Sequence, residues 1–113
     1  MRGCWKDVVY PKENASLFKV MEKTQCIISE YPPQTKPQKH YFPFRNRIIA
    51  ALSPKLYVMS AGLRSGTMTT VNEALILNRH VICLPHPIDM RSGQGCNQLI
   101  LEGADILTSV DGL

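Results

Sequence analysis

The sequence predicts an α/β fold with a small, mainly parallel sheet, and three observations carry that expectation. Two short apolar runs, residues 56–60 and 80–84, have the length of strands buried on both faces. Stretches with apolar residues at i, i+3 and i+4 spacing alternate with them, as the crossover helices of parallel strands must. Pro43, Pro85 and Gly103 fall at the junctions, where they punctuate regular structure. Together these give helices covering a parallel sheet in a doubly wound layout.

The elements follow in order. Residues 7–9 read as a short strand-like segment closed by Tyr10-Pro11. Asn14 suits the cap of a helix that carries Leu17, Val20 and Met21 on one stripe. Residues 26–29 form an apolar, partly β-branched run, hence a strand. Residues 30–42 hold Pro32, Pro33 and Pro37 and are expected to be irregular. Pro43 fits the first turn of a helix running through Ile48, Ala51 and Leu52. After the strand at 56–60, Thr67 is expected to cap a helix with Met68, Val71, Ala74 and Leu75 on its inner face. The strand at 80–84 stops at Pro85, and a helix over 95–101 ends at Gly103, which suits a left-handed position. Ile106-Leu107 reads as a last short strand. Three good strands make a small sheet with unpaired edges.

Composition narrows the function. The chain has 113 residues, 44% hydrophobic and 19% charged, so one domain and a globular class are expected. The longest aliphatic run, Ile48-Ile49-Ala50-Ala51-Leu52, is far short of the roughly 20 residues of a membrane span. The N-terminus, Met-Arg-Gly-Cys-Trp-Lys-Asp, has no apolar h-region, so a cytoplasmic protein without a secretory signal is expected. Cys4, Cys26, Cys83 and Cys96 form no C-x-x-C pair. They are expected as small buried residues rather than metal ligands, and no metal or cofactor is expected.

Charge is distributed unevenly. Residues 1–64 hold eleven Lys/Arg against four Asp/Glu, a net +7, whereas residues 65–113 hold two against five, a net −3. A basic half beside an acidic half suits an anionic partner.

Three motifs bear on that partner. Tyr31, Tyr41, Phe42 and Phe44 lie among Lys36, Lys39, His40, Arg45 and Arg47. Cations that track phosphates and rings that stack on bases are what single-stranded nucleic acid requires. The alternative is that Phe42 and Phe44 plug the core and the lysines are merely solvated. Arg45-Asn46-Arg47 is expected at a helix start, where an anion would offset the dipole and the arginines would grip a phosphate; Glu30 is the alternative partner. Arg64-Ser65-Gly66-Thr67 follows a strand and opens a helix, a place for an anion or for an ordinary Ser/Thr cap. No Walker A loop, G-x-G-x-x-G or G-x-S-x-G elbow is present, and His40, His80 and His86 suggest no nucleophile–base pair.

The string Phe42-Pro43-Phe44-Arg45-Asn46-Arg47-Ile48-Ile49-Ala50-Ala51-Leu52-Ser53 resembles the F-P-x-R-N-R-I-I-A-x-L-S signature of the DNA-processing protein A (DprA/Smf) family. Four further motifs resemble that family in order: Asp7-Val8-Val9-Tyr10-Pro11 with Asn14; Ile28-Ser29-Glu30-Tyr31-Pro32-Pro33; Ser65-Gly66-Thr67-Met68 with Thr70 and Ala74; and Gly95-Cys96-Asn97-Gln98-Leu99-Ile100 with Gly103-Ala104. The resemblance implies the later part of a Rossmann-like three-layer domain, lacking the N-terminal strands and the family's G-[ST]-R motif. It implies a non-enzymatic protein of natural transformation. Such a protein binds and protects single-stranded DNA, loads a RecA-type recombinase and forms a homodimer. It places Lys12, Arg45, Asn46, Arg47, Ser65 and Gly66 at the DNA, where Asn14, and Lys36 of the basic–aromatic loop, are expected as well, and Leu75, Asn97, Ile100 and Ile106 at the subunit contact. Two departures stand out: Trp5 where the family usually has Gly, and Pro85-His86 where it usually has Pro-Gly.

Two other readings compete. A nucleoside-monophosphate phosphoribohydrolase would need an acid close behind Gly66-Thr67, and Glu73 comes six residues after the threonine. A truncated, inert piece of the DNA-processing family would share every motif.

Overall fold

The computed structural model describes residues 12–32, 34–111 and 113, so the segment expected at 7–9 lies outside the described residues, as do Cys4 and Trp5. The chain forms two compact units, Met1–Arg45 and Asn46–Leu113.

In the first unit a 3-10 turn, Lys12–Asn14, leads into α1, Ala15–Thr24. Asn14 is the N-cap residue, but its backbone (φ −92°, ψ 9°) continues the turn and its side chain makes no capping bond. The apolar stripe of α1 is not a core face: no α1 residue is buried, and Leu17 and Val20 are more than half exposed. The strand expected at 26–29 does not form. Those residues carry no regular structure and no strand among the described residues pairs with them, so they lack the neighbour's N–H and C=O that a sheet requires. Proline keeps the next segment irregular, with Thr35 N–H and Oγ1–H both donating to Pro32 O.

α2, Tyr41–Ala51, starts earlier than expected, at the turn closed by Tyr41 N–H on Gln38 O. Pro43 is its third residue, still in the first turn, where a missing N–H costs nothing. The irregular stretch therefore stops short of Phe42.

In the second unit the end of α2 buries Ala50. Then come β1 (Lys55–Val58), α3 (Gly66–Ile76), β2 (His80–Cys83), a 3-10 turn (Arg91–Gly93), α4 (Gln94–Leu101) and β3 (Asp105–Ile106). The sheet has the order β1-β2-β3 and is parallel throughout, as the alternation of strands and helices predicts. Lys55 pairs with His80 and Val58 with Cys83, while Cys83 pairs with Ile106. Central β2 is buried at Val81, Ile82 and Cys83, as a strand covered on both faces must be.

The core is built of small residues. Val58, Ala61, Val71, Ala74, Val81, Cys83, Cys96 and Leu99 pack together, with Met68 and Ile100 against them. Val71 and Ala74 are the buried positions of α3, but Leu75, expected on the same face, is half exposed. The cap of α3 is Ser65, not Thr67: Ser65 has extended backbone and its carbonyl accepts the Met68 N–H, which leaves Thr67 inside the first turn. Gly103 closes α4 at φ +114°, in the left-handed region expected of it. Buried Cys83 and Cys96 fit their expected role, whereas Cys26, on the irregular segment after α1, is exposed and does not.

Candidate nucleic-acid interface

Residues 31–72 contain six Lys/Arg and no Asp or Glu. Within this acid-free stretch the fold builds two features, one in each unit.

The first is at the C-terminal end of β1, the edge of a parallel sheet where ligands bind. The connection to α3 is tied down from both sides. Ser60 Oγ–H donates to Ser92 O over 2.9 Å, and Gly95 N–H donates to Ala61 O over 2.7 Å. A Cβ on Gly95 would come within 2.6 Å of Ala61 O and 2.7 Å of Gly62 O, so glycine is needed for this approach. The start of α4 is thus filled by the carbonyls of the β1–α3 connection and offers no room for an anion.

The start of α3 is different. A Cβ built on Gly66 meets nothing within 4 Å, so the space beside this residue is open; the Met68 N–H is taken by Ser65 O, while the amides of Gly66 and Thr67 have no acceptor within the helix. Beside them Ser65 Oγ is shielded from solvent and has no hydrogen-bond partner. Arg64, next in sequence, is exposed. The Gly66 and Thr67 amides, a helix dipole and a neighbouring guanidinium suit a phosphate or another oxyanion. Glu73 lies seven residues into α3, about 10 Å along the axis from its start at 1.5 Å per residue.

The neighbouring connection, after β2, is locked. Asn97, on α4, accepts the His86 N–H through Oδ1 and donates from Nδ2 to His86 O, both at 3.0 Å. His86 Nδ1 lies 2.8 Å from Leu84 O, and because a carbonyl only accepts, Nδ1 carries the proton. The imidazole lies against Gly93, in the place a side chain there would take.

The second feature is the basic–aromatic segment of the first unit. The Tyr31 and Tyr41 rings are 4.4 Å apart between centroids at 32°, and His40 meets Tyr41 edge-on at 4.5 Å. Lys36, Lys39 and His40 are exposed. Phe44 is 55% exposed, so it does not plug the core; Phe42 is half-buried, with the Arg45 guanidinium 5.5 Å from its ring centroid.

Arg45, Asn46 and Arg47 are the fifth to seventh residues of α2 rather than its opening turn, because the helix begins at Tyr41. The dipole acts only within the first turn, so the expected anion site at that terminus is not built from them. Both arginines are half-buried, and positions two apart on a helix do not face the same way. Lys12 is exposed in the 3-10 turn before α1, with Asn14 at its end.

Of the residues expected at a subunit contact, Leu75 and Ile106 are half exposed. Leu75 lines a cavity of about 290 Å³ with Arg79, His80, Val81 and Asp105; His80 Nε2 and the Asp105 carboxylate bond to each other. Ile100 packs partly against the core, and Asn97 borders a groove with Leu63, Ile88 and Leu101. Burial pushes the Cys83 thiol up to about 11 from the ordinary 9.0, with the nearby Cys96 adding to it; burial raises Cys96 as well. Among the described residues no cluster of His, Cys, Asp or Glu could hold a metal ion, and no helix is long and apolar enough to cross a membrane.

Sequence reasoning missed the Asn97–His86 clamp. Its one visible signal was the histidine after Pro85.

The family model for DNA recombination-mediator protein A matches residues 3–113. Protein Smf of Synechocystis sp. is 40% identical over 111 residues, 98% of this chain and 28% of that protein. The X-ray structure of DNA processing protein A from Streptococcus pneumoniae superposes with a TM-score of 0.88 at 40% identity, covering 95% of this chain and 38% of that one. DNA processing protein A from Helicobacter pylori, whose structure concerns its single-stranded DNA binding mode, gives a TM-score of 0.80 at 32% identity over 95% of this chain and 49% of that one. The chain thus spans less than half the length of each.

Proposed function

The chain belongs to the DNA recombination-mediator protein A (DprA/Smf) family, and from that membership we propose that it holds single-stranded DNA during DNA uptake in natural transformation. The observation that carries this reading is the acid-free basic stretch 31–72, which contains an open anion cradle at Ser65-Gly66. Phosphates are the anions of such a strand, and exposed cations beside aromatic rings are the means of holding it. The Helicobacter pylori relative, similar over nearly the whole chain, is described by its single-stranded DNA binding.

In this reading Ser65 and Gly66 receive a phosphate at the start of α3. Lys12, Asn14 and Lys36 supply contacts from the first unit, and Arg45, Asn46 and Arg47 from α2. The chain is the later part of a Rossmann-like domain, works in the cytoplasm, and hands the protected strand to a RecA-type recombinase without a chemical step of its own. Its acidic half self-associates through a surface that includes Leu75, Asn97, Ile100 and Ile106.

The test is anisotropy of a labelled oligonucleotide at low salt. The single strand binds more tightly than the duplex, and Gly66→Glu, which puts a carboxylate over the α3 amides, weakens binding about tenfold or more. No binding of the single strand, or an unaffected Gly66→Glu protein with native circular dichroism, contradicts the reading. Sedimentation of wild type and Ile106→Arg reads the self-association: a dimer that dissociates on substitution is expected, and a monomeric wild type contradicts it.

A further inference from the structure

We propose that the ring column Tyr31–Tyr41–His40 is a stacking platform for a nucleobase, so that the first unit holds a strand by its bases as well as by its phosphates. This rests on the single-stranded DNA reading above and adds a base-contacting subsite to it.

The column is assembled by backbone. Residues 38–41 close the turn that opens α2, through Tyr41 N–H on Gln38 O, and that turn sets His40 and Tyr41 side by side. Tyr31 comes from before the proline segment, and its N–H on Ser29 Oγ holds the chain there. The result is a tilted Tyr31–Tyr41 pair, 4.4 Å apart at 32°, with His40 set edge-on to Tyr41 at 4.5 Å and 68°, so the tyrosines brace the histidine ring without lying parallel to it. Both spacings fall at the short end of the aromatic-pair range. The two tyrosines are half-buried and anchor the column, whereas His40 is exposed at its outer end.

A base needs three things here: an accessible flat ring, neighbours that brace that ring, and positive charge for the phosphates on either side. His40 is the first, the tyrosine pair is the second, and exposed Lys36 and Lys39 are the third. No Asp or Glu occurs from residue 31 to residue 72; the nearest in sequence to the rings is exposed Glu30, beside Tyr31. Stacking tolerates any base, so the platform favours unpaired strands without selecting a sequence. A duplex, whose bases are already stacked, gains nothing from it.

The experiment uses the full chain and two labelled oligonucleotides of equal length and charge. One is a run of thymidines and the other has abasic sites throughout. Wild type should bind the base-bearing strand about 5- to 160-fold more tightly, the range expected for stacking one base. His40→Ala should lose most of that preference, His40→Phe should keep it, and His40→Lys should not restore it although it supplies a charge. Equal wild-type affinity for the two strands overturns the platform while leaving the single-strand reading intact. So does a His40→Ala protein that weakens both strands equally, since that marks a contact blind to the base. Failure to bind either strand overturns the single-strand reading and the platform with it.

Discussion

The His86 imidazole fills the place of a side chain at Gly93: a Cβ on that glycine would fall within the ring. The two positions are seven apart in sequence and meet because the connection after β2 folds back over the turn that precedes α4. The pair explains how this chain carries a histidine directly after Pro85.

Gly93→Ala is therefore expected to destabilise the protein by about 1–3 kcal/mol, the usual cost of overpacking. His86→Ala should be milder, losing the Nδ1–H bond to Leu84 O. The double substitution should be more stable than Gly93→Ala alone, with a coupling of about 0.5–3 kcal/mol. Denaturant titration of the four proteins measures it, and strictly additive costs would show that the two sites do not meet.

Asn97 holds the same connection through its amide. Replacing it with alanine leaves His86 N–H and C=O without their partners and should cost about 1–3 kcal/mol. Asn97→Asp keeps the acceptor and loses the donor, so an intermediate cost is expected. Amide exchange at His86 should accelerate in both variants; unchanged protection would contradict the clamp.

Most of the second unit was legible in the sequence. Residues 56–60 and 80–84 could be read because a buried parallel strand is a continuous apolar run, and Gly103 because a helix end in the left-handed region selects glycine. The first unit was less legible. Leu17, Val20 and Met21 have helical spacing yet reach no core, and the apolar run at 26–29 finds no partner strand. Periodicity reports that a segment has an apolar side, not that something covers it. The candidate site divided the same way. Ser65-Gly66 was visible because strand–loop–helix anion sites have a local signature. The His86–Asn97 clamp depends on residues eleven apart meeting through a fold-back, for which no local pattern exists. Arg45 and Arg47 fall beyond the opening turn because α2 begins at Tyr41, two residues before Pro43, and a proline is compatible with any position of a first turn.

The buried thiols make stability depend on alkaline pH. Cys83 is raised to about 11 from 9.0 and Cys96 is raised too, so the folded state favours the protonated forms. That contribution is fully present below pH 9 and is lost as pH rises toward 11. Chemical denaturation across this window should show stability falling, and Cys83→Ala should flatten the fall relative to wild type. Parallel slopes in the two proteins would contradict it. At pH 8 a thiol reagent should modify exposed Cys26 in the folded chain and reach Cys83 and Cys96 only after unfolding.

The central claim, that the basic stretch grips the phosphates of an unpaired strand, is tested most directly by the salt dependence of oligonucleotide affinity for the full chain. Each phosphate neutralised on a single strand contributes a slope of about −0.7 in log affinity against log salt, so three or more contacts predict a slope of about −2 or steeper. A slope near zero, or no measurable affinity even at low salt, would contradict the account.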